Sequence, residues 1–285
     1  MLSIIIPTLN EEEYLPLLLK SIKKQDFSDY EIIVSDAASQ DKTREIAESF
    51  GCKIVDGGLP AKGRNQGAKV ARGNLLLFLD AETLIPEGFL GKALHEFKKR
   101  NLDVAGCNLE PVKEAWMSKF VSLRFGYNLF YNWPAQALES VYPYAASFIL
   151  IKKDIHERLG GFDETIKISE DHSYVRRAAK VGKFGILRFS PLPLFLRRIE
   201  KQGLIRTVAK YFFCNIFNVF LGDVRTDIFH YTFGQYKKKE KPKKTIFILQ
   251  FFWILICYAG GFLGILKWIV VFIIFTPKLI LKKYI

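Results

Sequence analysis

Between residues 2 and about 110, short β-rich runs (LSIIIP, YEIIVSD, CKIVD, LLLFLD and DVAGCNL) alternate with stretches of helical character such as 12–24 and 41–50. Alternation of this kind implies βαβ units and an α/β fold with a mostly parallel sheet. Such sheets bind their ligands outside the carboxyl ends of the strands, so the strand ends are the places to look for chemistry. One of them stands out. In LLLFLDAETLIPEGF, residues 75–89, five apolar residues run straight into Asp80, Glu82 follows two positions later, and Pro86 ends the run.

A chain of 285 residues can build one large domain plus an appendage, with a core that needs neither disulfide nor metal for stability. Cys52, Cys107, Cys214 and Cys257 lie far apart without a CxxC pair, which speaks against a structural zinc site or a disulfide framework and fits a reducing compartment. The start, MLSIIIPTLNEEE, has no basic stretch and too short an apolar run for a signal sequence, so the fold is expected to begin at once. Formal charge is +13, and basic residues crowd into YKKKEKPKK (236–244) and PKLILKKYI (277–285), beside the most apolar part of the chain. That placement favours anionic membrane lipids as partners and argues against nucleic acid. The missing G-x-G-x-x-G after the first strand argues against a dinucleotide-binding dehydrogenase.

Farther along, EAWMSKFVSLRFGYNLFYNW (114–133) is aromatic and of helical character, either core or a wall facing an acceptor or membrane. A strand, ASFILIKKD, follows. GGFDETIKISEDHSYVRRAAKVG (160–182) reads as a Gly turn, an irregular loop and a helix capped by Ser169, which places Glu170 and Asp171 in the first turn. Beyond about 200, IRTVAKYFFCNIFNVFLGD is a helix that either lies flat at an interface or packs on the domain. TIFILQFFWILICYAGGFLGIL (245–266) carries 22 residues and no charge. At about 1.5 Å per residue this is long enough to cross a bilayer core of roughly 30 Å. Lysines on both flanks point to a hairpin turning near Gly260 and Gly261, or to a crossing followed by an interfacial helix. The expected organisation is a catalytic domain over 1–200, an amphipathic helical region over 201–236, and a polybasic segment with a membrane anchor over 237–285.

Acids at several strand ends would converge on one crevice of a parallel sheet, so Asp36, Asp80 and Glu82 could share a site. Gathered carboxylates repel one another unless a cation is present, and hard divalent ions take oxygen ligands, which makes Mg2+ or Mn2+ the natural guest. Such an ion would neutralise a diphosphate leaving group. Lys62, Arg64 and Arg72 could add positive charge, or stand as solvated helix residues.

SIIIPTLNEE, EIIVSDAASQDKT, AKGRNQGAKVARGNLLLFLDAET, GGFDE and SEDHSYVRRAAKVG resemble, in order and over roughly residues 2–200, the successive motifs of the family 2 glycosyltransferases with a GT-A fold. The resemblance implies a nucleotide-diphosphate sugar donor whose base and ribose are held by Pro7, Thr8, Glu11, Asp36 and Arg64. DAE stands where the family has Asp-x-Asp, so Asp80 would face ribose and metal and Glu82 would ligate the metal. Glutamate in the last place is a departure that leaves an oxygen ligand but changes its reach. Asp171 matches the family's general base, expected to be ionised because a helix amino terminus stabilises negative charge. Gly161, Glu170 and His172 would support the acceptor loop, His172 either as a packed residue or as a contact to a donor phosphate. The Gln/Arg-x-x-Arg-Trp motif of processive members is absent from RRIEKQGLIRT (197–207), which favours single-sugar transfer; Arg197 and Arg198 would meet phosphate or lipid head groups. A lipid or glycolipid acceptor at the cytoplasmic side of a membrane is the expected setting. The rival readings are an inactive membrane-bound sugar-nucleotide binding protein and a basic membrane scaffold.

Overall fold

A computed structural model describes residues 1–112 and 139–197, together with 128, 132–137 and scattered positions between 207 and 233. The elements are β1 (Leu2–Thr8), α1 (Leu15–Lys23), β2 (Tyr30–Asp36), α2 (Thr43–Ser49), β3 (Lys53–Asp56), α3 (Pro60–Val70) and β4 (Leu75–Leu79). There follow α4 (Phe89–Lys99), β5 (Val104–Pro111), α5 (Trp133–Ala137), β6 (Phe148–Lys152), α6 (Lys153–Arg158), α7 (Glu170–Ala178) and β7 (Phe184–Leu194). The strands form one sheet in the order β3-β2-β1-β4-β6-β5-β7. Only β6 runs against its neighbours; the pairs β1–β2, β1–β4, β2–β3 and β5–β7 are parallel.

Helices cover both faces, which is why β1 and β4 read as continuous apolar runs rather than alternating ones. Ile4, Ile6, Leu77 and Leu79 point to the layer containing Leu15, Leu18, Leu19 and Phe89 from α1 and α4. Ile5, Leu76 and Phe78 point the other way, to Ala61 and Ala68 of α3 and Tyr174 and Val175 of α7. The seat of α3 matters most for the site. A Cβ on Gly67 would lie 2.4 Å from Ile5 Cγ2, and one on Gly63 would lie 3.2 Å from Pro7 Cβ. These two glycines, one helical turn apart, let α3 lie hard against β1. Arg64 beside them is consequently carried into the interior, at 4% exposure.

Register sets the height of each strand end. Thr8 pairs with Asp36 and Ile5 with Phe78, so Asp80 leaves β4 level with Pro7, on the same edge as Asp36. β1 lies between β2 and β4, however, which separates the two acids by about two strand spacings, roughly 10 Å. They share an edge without forming a single cluster.

Several expectations are changed by the fold. Ser169 does precede α7, but in a left-handed conformation (φ 61°) and with no side-chain cap; its hydroxyl lies 3.6 Å from Cys214 Sγ instead. Asn132 of the aromatic stretch exchanges two hydrogen bonds of 2.9 Å with the backbone of Leu109, whereas Trp133 is 65% exposed; most of 114–131 lies outside the described residues. Past β7, Cys214 and Val224 are buried with Ile168, so at these positions the chain packs on the domain. Among the described residues no helix is long and apolar enough to cross a membrane; 245–266, 237–285 and Arg198 lie outside them.

The layer on the α3 side is organised by aromatic rings. Phe162 stacks on Tyr174 at 3.8 Å, Phe78 meets both edge-on, and His156 is enclosed among them with Nδ1 2.6 Å from the Tyr174 hydroxyl. Burial, reinforced by the Arg177 and Lys153 cations, lowers the His156 pKa from 6.5 to about 4. The ring is neutral in the fold and protonates readily only when unfolded, so its stabilising contribution is complete above pH 6.5 and is lost as pH falls toward 4. Between pH 7 and pH 5 this group alone should remove about 2 kcal/mol of stability, and His156→Gln, which cannot titrate, should show a correspondingly flatter dependence in denaturant melts at the two pH values.

Candidate active site

Asp80, at the end of β4, and Glu170, at the start of α7, are 90 positions apart in sequence and meet on one guanidinium. Arg64 donates to Glu170 Oε1 at 2.6 Å and to Asp80 Oδ1 at 2.8 Å. Its carbon lies 5.3 Å from the centroid of the Phe162 ring, a geometry that adds a cation–π attraction. Burial acts against the charge on Arg64, but Asp80, Glu170 and Asp171 outweigh it and push the guanidinium pKa up.

One cation cannot compensate three acids. Burial raises the Glu170 carboxyl, with Asp171 adding to the rise against the pull of Arg64. Asp171 is raised to about 6, first by burial and then by Asp80, against Arg64 and against backbone hydrogen bonds at His172 and Asp171 itself. The helix start favours the ionised form, as the sequence leads one to expect, yet the carboxyl sits above the ordinary aspartate range. Desolvation and a like charge exceed what the first-turn amides supply. A carboxylate with a pKa near 6 is still mostly ionised at neutral pH and is a stronger base than an ordinary aspartate.

Glu82 has a cation of its own. Arg197 donates to Glu11 in a short ion pair, and its Nε lies 3.3 Å from Glu82 Oε2; the guanidinium also sits 5.4 Å from the Tyr14 ring centroid. The Phe195 amide donates to the Glu82 carbonyl at 2.8 Å. Two buried arginines thus each hold one acid of the Asp80-Ala81-Glu82 triplet. Both acids keep part of their side chains exposed, 29% for Asp80 and 18% for Glu82.

Asp36 is used differently. It accepts from the Thr8 hydroxyl at 3.0 Å, from the Ser39 amide at 3.0 Å and from Arg44 at 3.3 Å, at 1% exposure. These bonds fasten the turn in which Ala38 adopts φ 59°, a conformation costly for a residue with a Cβ. Pro7 and Thr8 are buried at the end of β1, and the Glu11 amide donates to Thr43 Oγ1 at 2.7 Å. Lys62 stays exposed, and Arg72 lies with Glu31, away from this cluster, so of Lys62, Arg64 and Arg72 only Arg64 enters it.

The GGF turn is glued from two sides. Asn65 accepts from the Phe162 amide at 2.8 Å and donates to its carbonyl at 2.9 Å, while Arg177 donates to the Gly161 carbonyl at 2.7 Å. His172 lies 5.5 Å from the Tyr144 ring, beside Asp171. The roles of Asn65, Arg177 and Arg197 as the frame of the site were not read from sequence. Asn65 and Arg197 have partners 97 and 186 positions away, and nothing local marks such pairs.

The oxygen donors fit a hard divalent ion. Among the described residues no three acids, histidines or cysteines form a ready-made cage. Asp80 and Glu82 are two partly exposed carboxylates in a neighbourhood of excess negative charge. A Mg2+-like ion commonly takes one or two carboxylates and completes its shell with substrate phosphates and water.

A family model described as glycosyl transferase family 2 matches residues 3–160, more than half of the chain. The chain belongs to that family. Its curated relatives include the poly(ribitol-phosphate) β-N-acetylglucosaminyltransferase TarS of Staphylococcus aureus, 35% identical over 112 residues, which are 36% of this chain and 20% of that protein. The GalNAc(5)-diNAcBac-PP-undecaprenol β-1,3-glucosyltransferase of Campylobacter jejuni is 33% identical over 129 residues, 41% of either chain. This chain therefore spans well under two thirds of the curated relatives it matches. Among solved structures, S. aureus TarS 1–349 in complex with UDP-GlcNAc superposes with a TM-score of 0.57 at 22% identity, covering 76% of this chain and 66% of that one. A mannosyltransferase from Pyrobaculum calidifontis, in complex with GDP-Man and Mn2+, gives 0.54 at 21% identity, covering 67% and 56%. The shared fold is the GT-A type that the motif order implied.

In this family 2 glycosyltransferase substitutions at Arg64 and in the Gly160–Gly161 turn should report on the frame of the site. Arg64→Met leaves Glu170 buried and Asp80 half-buried without their cation and should cost about 3 kcal/mol in urea melts. Arg64→Lys should recover only part of that, because an ammonium lacks the planar fork that spans both acids. Gly160 and Gly161 both have positive φ, but a Cβ on Gly160 meets nothing whereas one on Gly161 would lie 2.5 Å from Asn65 Oδ1. Gly161→Ala should therefore lower the unfolding midpoint clearly more than Gly160→Ala.

Proposed function

We propose that this protein is a metal-dependent, inverting transferase that moves a single sugar from a nucleotide-diphosphate donor to a hydroxyl of a lipid-linked acceptor at the cytoplasmic face of a membrane. The observation that carries the reading is the meeting of Asp80 and Glu170 on Arg64 with Asp171 following Glu170 in the first turn of α7, which leaves three acids around one cation. In this reading Asp171 removes the proton from the acceptor hydroxyl as its oxygen attacks the anomeric carbon. The bond from that carbon to the diphosphate breaks with its electrons on the departing nucleotide.

Asp80 and Glu82 would hold Mg2+ or Mn2+, which, when bound, supplies charge neutralisation to the leaving diphosphate. Arg64 and Arg197 keep those two carboxylates oriented. Pro7, Thr8, Glu11 and Asp36 shape the edge of the sheet against which base and ribose would lie. Glu170 fixes Arg64, Gly161 gives the loop before α7 its turn, and His172 flanks the acceptor side. Support for the lipid-linked acceptor comes from the uncharged stretch 245–266 between lysine-rich segments, and from the undecaprenol-linked substrate in the name of the Campylobacter relative.

Thermal stabilisation should be screened with UDP-Glc, UDP-GlcNAc, UDP-Gal and GDP-Man, each with Mn2+, Mg2+ or EDTA. At least one sugar nucleotide should stabilise the protein only with a metal present. If none does, the basic-scaffold reading replaces this one; binding without nucleotide release in the presence of membrane extract would indicate an inactive binding protein. With a donor in hand, Asp171→Asn should bind it as before but slow nucleotide release by roughly 10²–10⁴-fold, the range for loss of a general base. Near-normal release would point to a phosphate acceptor such as a polyprenyl phosphate, which is ionised already and needs no base.

A further inference from the structure

From the contacts made by residues 223–225 we infer that Asp223 is a positioning residue for transfer, and that the segment around it is a brace holding the loop and helix that present Asp171. The segment lies outside the 3–160 stretch matched by the family model. Asp223 accepts from the Ser173 hydroxyl through Oδ2 and from Arg176 through Oδ1, both at 2.7 Å, so its two oxygens hold consecutive parts of α7 just beyond Asp171. Val224, wholly buried, forms an antiparallel bridge with Ile168, and its carbonyl accepts from the Lys167 amide at 2.8 Å. Arg225 pairs with Asp163 at 2.9 Å and also bonds Thr165.

Three consecutive residues therefore fasten three consecutive parts of one element: the start of the loop, its last extended residues, and the first turn of the helix. What they brace needs bracing. Ser169, between Ile168 and Glu170, is left-handed without being glycine, and a strained residue of this kind keeps its conformation only when its surroundings over-determine it. A second line of contact runs toward the site. Arg176 also donates to the Tyr142 hydroxyl at 3.2 Å and lies over that ring; Tyr142 neighbours Tyr144, and Tyr144 neighbours His172. Donor-side residues on β1, β2 and β4 are not among these partners. The brace should therefore act first on the base and the acceptor side, and reach the donor side only through Glu170 and Arg64.

This inference rests on the reading of Asp171 as the base, and the test separates the two. Full-length wild type, Asp223→Ala, Asp223→Glu and the charge exchange Arg176→Asp with Asp223→Arg would be compared by hydrogen–deuterium exchange. The same proteins would be assayed for nucleotide release with the sugar nucleotide that stabilises best in the screen above. In Asp223→Ala the amides of 166–173 should exchange about tenfold faster or more, with the core strands unchanged, as expected when a local contact rather than the global fold is lost. Turnover should fall at least tenfold while the Kd for that sugar nucleotide with Mn2+ rises by a clearly smaller factor, as expected for an interaction expressed mainly in kcat. Asp223→Glu or the charge exchange should restore a substantial part of both. Should Asp223→Ala unfold, Ser173→Ala, which removes one bond of the pair, carries the same test with a smaller change. Unaltered exchange over 166–173, or faster exchange with full turnover, overturns the inference. Full turnover in Asp171→Asn overturns the base assignment instead, and leaves the exchange measurement to decide the brace.

Discussion

The site depends on one buried guanidinium with two acids. Arg64 comes from α3, Asp80 from the end of β4 and Glu170 from the start of α7, so the fork ties three elements that also share an apolar layer. An ion pair of this kind is poor evidence for stability, since desolvating the charges offsets most of their attraction. What it does supply is direction. A planar donor group that bonds two carboxylates fixes where both point, and the Phe162 ring beneath it leaves the guanidinium little freedom to rotate. Arg197 is a looser version of the device, bonded to Glu11 and with its Nε 3.3 Å from Glu82 Oε2.

The same arrangement explains why the site is reactive as well as ordered. Carboxylates outnumber arginines around Asp80 and Glu82, and burial prevents water from screening the difference. The imbalance shows in Asp171, whose pKa rises to about 6 even with a cation close by. An environment that raises the energy of a carboxylate is also one that favours proton uptake or a divalent cation, and the proposed reaction calls for both. Strain is stored next to it, in left-handed Ser169 before α7.

The fold achieves this with little that is unusual. Two glycines seat α3 on β1, a Gly-Gly turn held by Asn65 and Arg177 reverses the chain before α7, and an aromatic layer of Phe78, Phe162, Tyr174 and His156 fills the space beneath. Each is a close approach or a stacked contact, so the site tolerates little drift. The residues around Asp223 extend this frame with a piece of chain that lies well past the sheet.

Alternating apolar runs and helical stretches determined the α/β sheet, because a strand covered on both faces must be apolar throughout and each crossover must be long enough for a helix. The order of motifs determined the family and, through that resemblance, marked Asp171; the run LLLFLD marked Asp80, because a polar group directly after a buried run has few structural reasons to be there. Tertiary structure alone decided how those acids are paired. It put β1 between Asp36 and Asp80, so that the acids expected to share one ion stand on the same edge but in separate networks. It gave Glu82 to Arg197, 115 positions away, and turned Ser169 from a helix cap into a left-handed hinge. Sequence patterns report what a residue's neighbours along the chain require; which distant cation meets which acid depends on register and helix seating, and no local signal carries that.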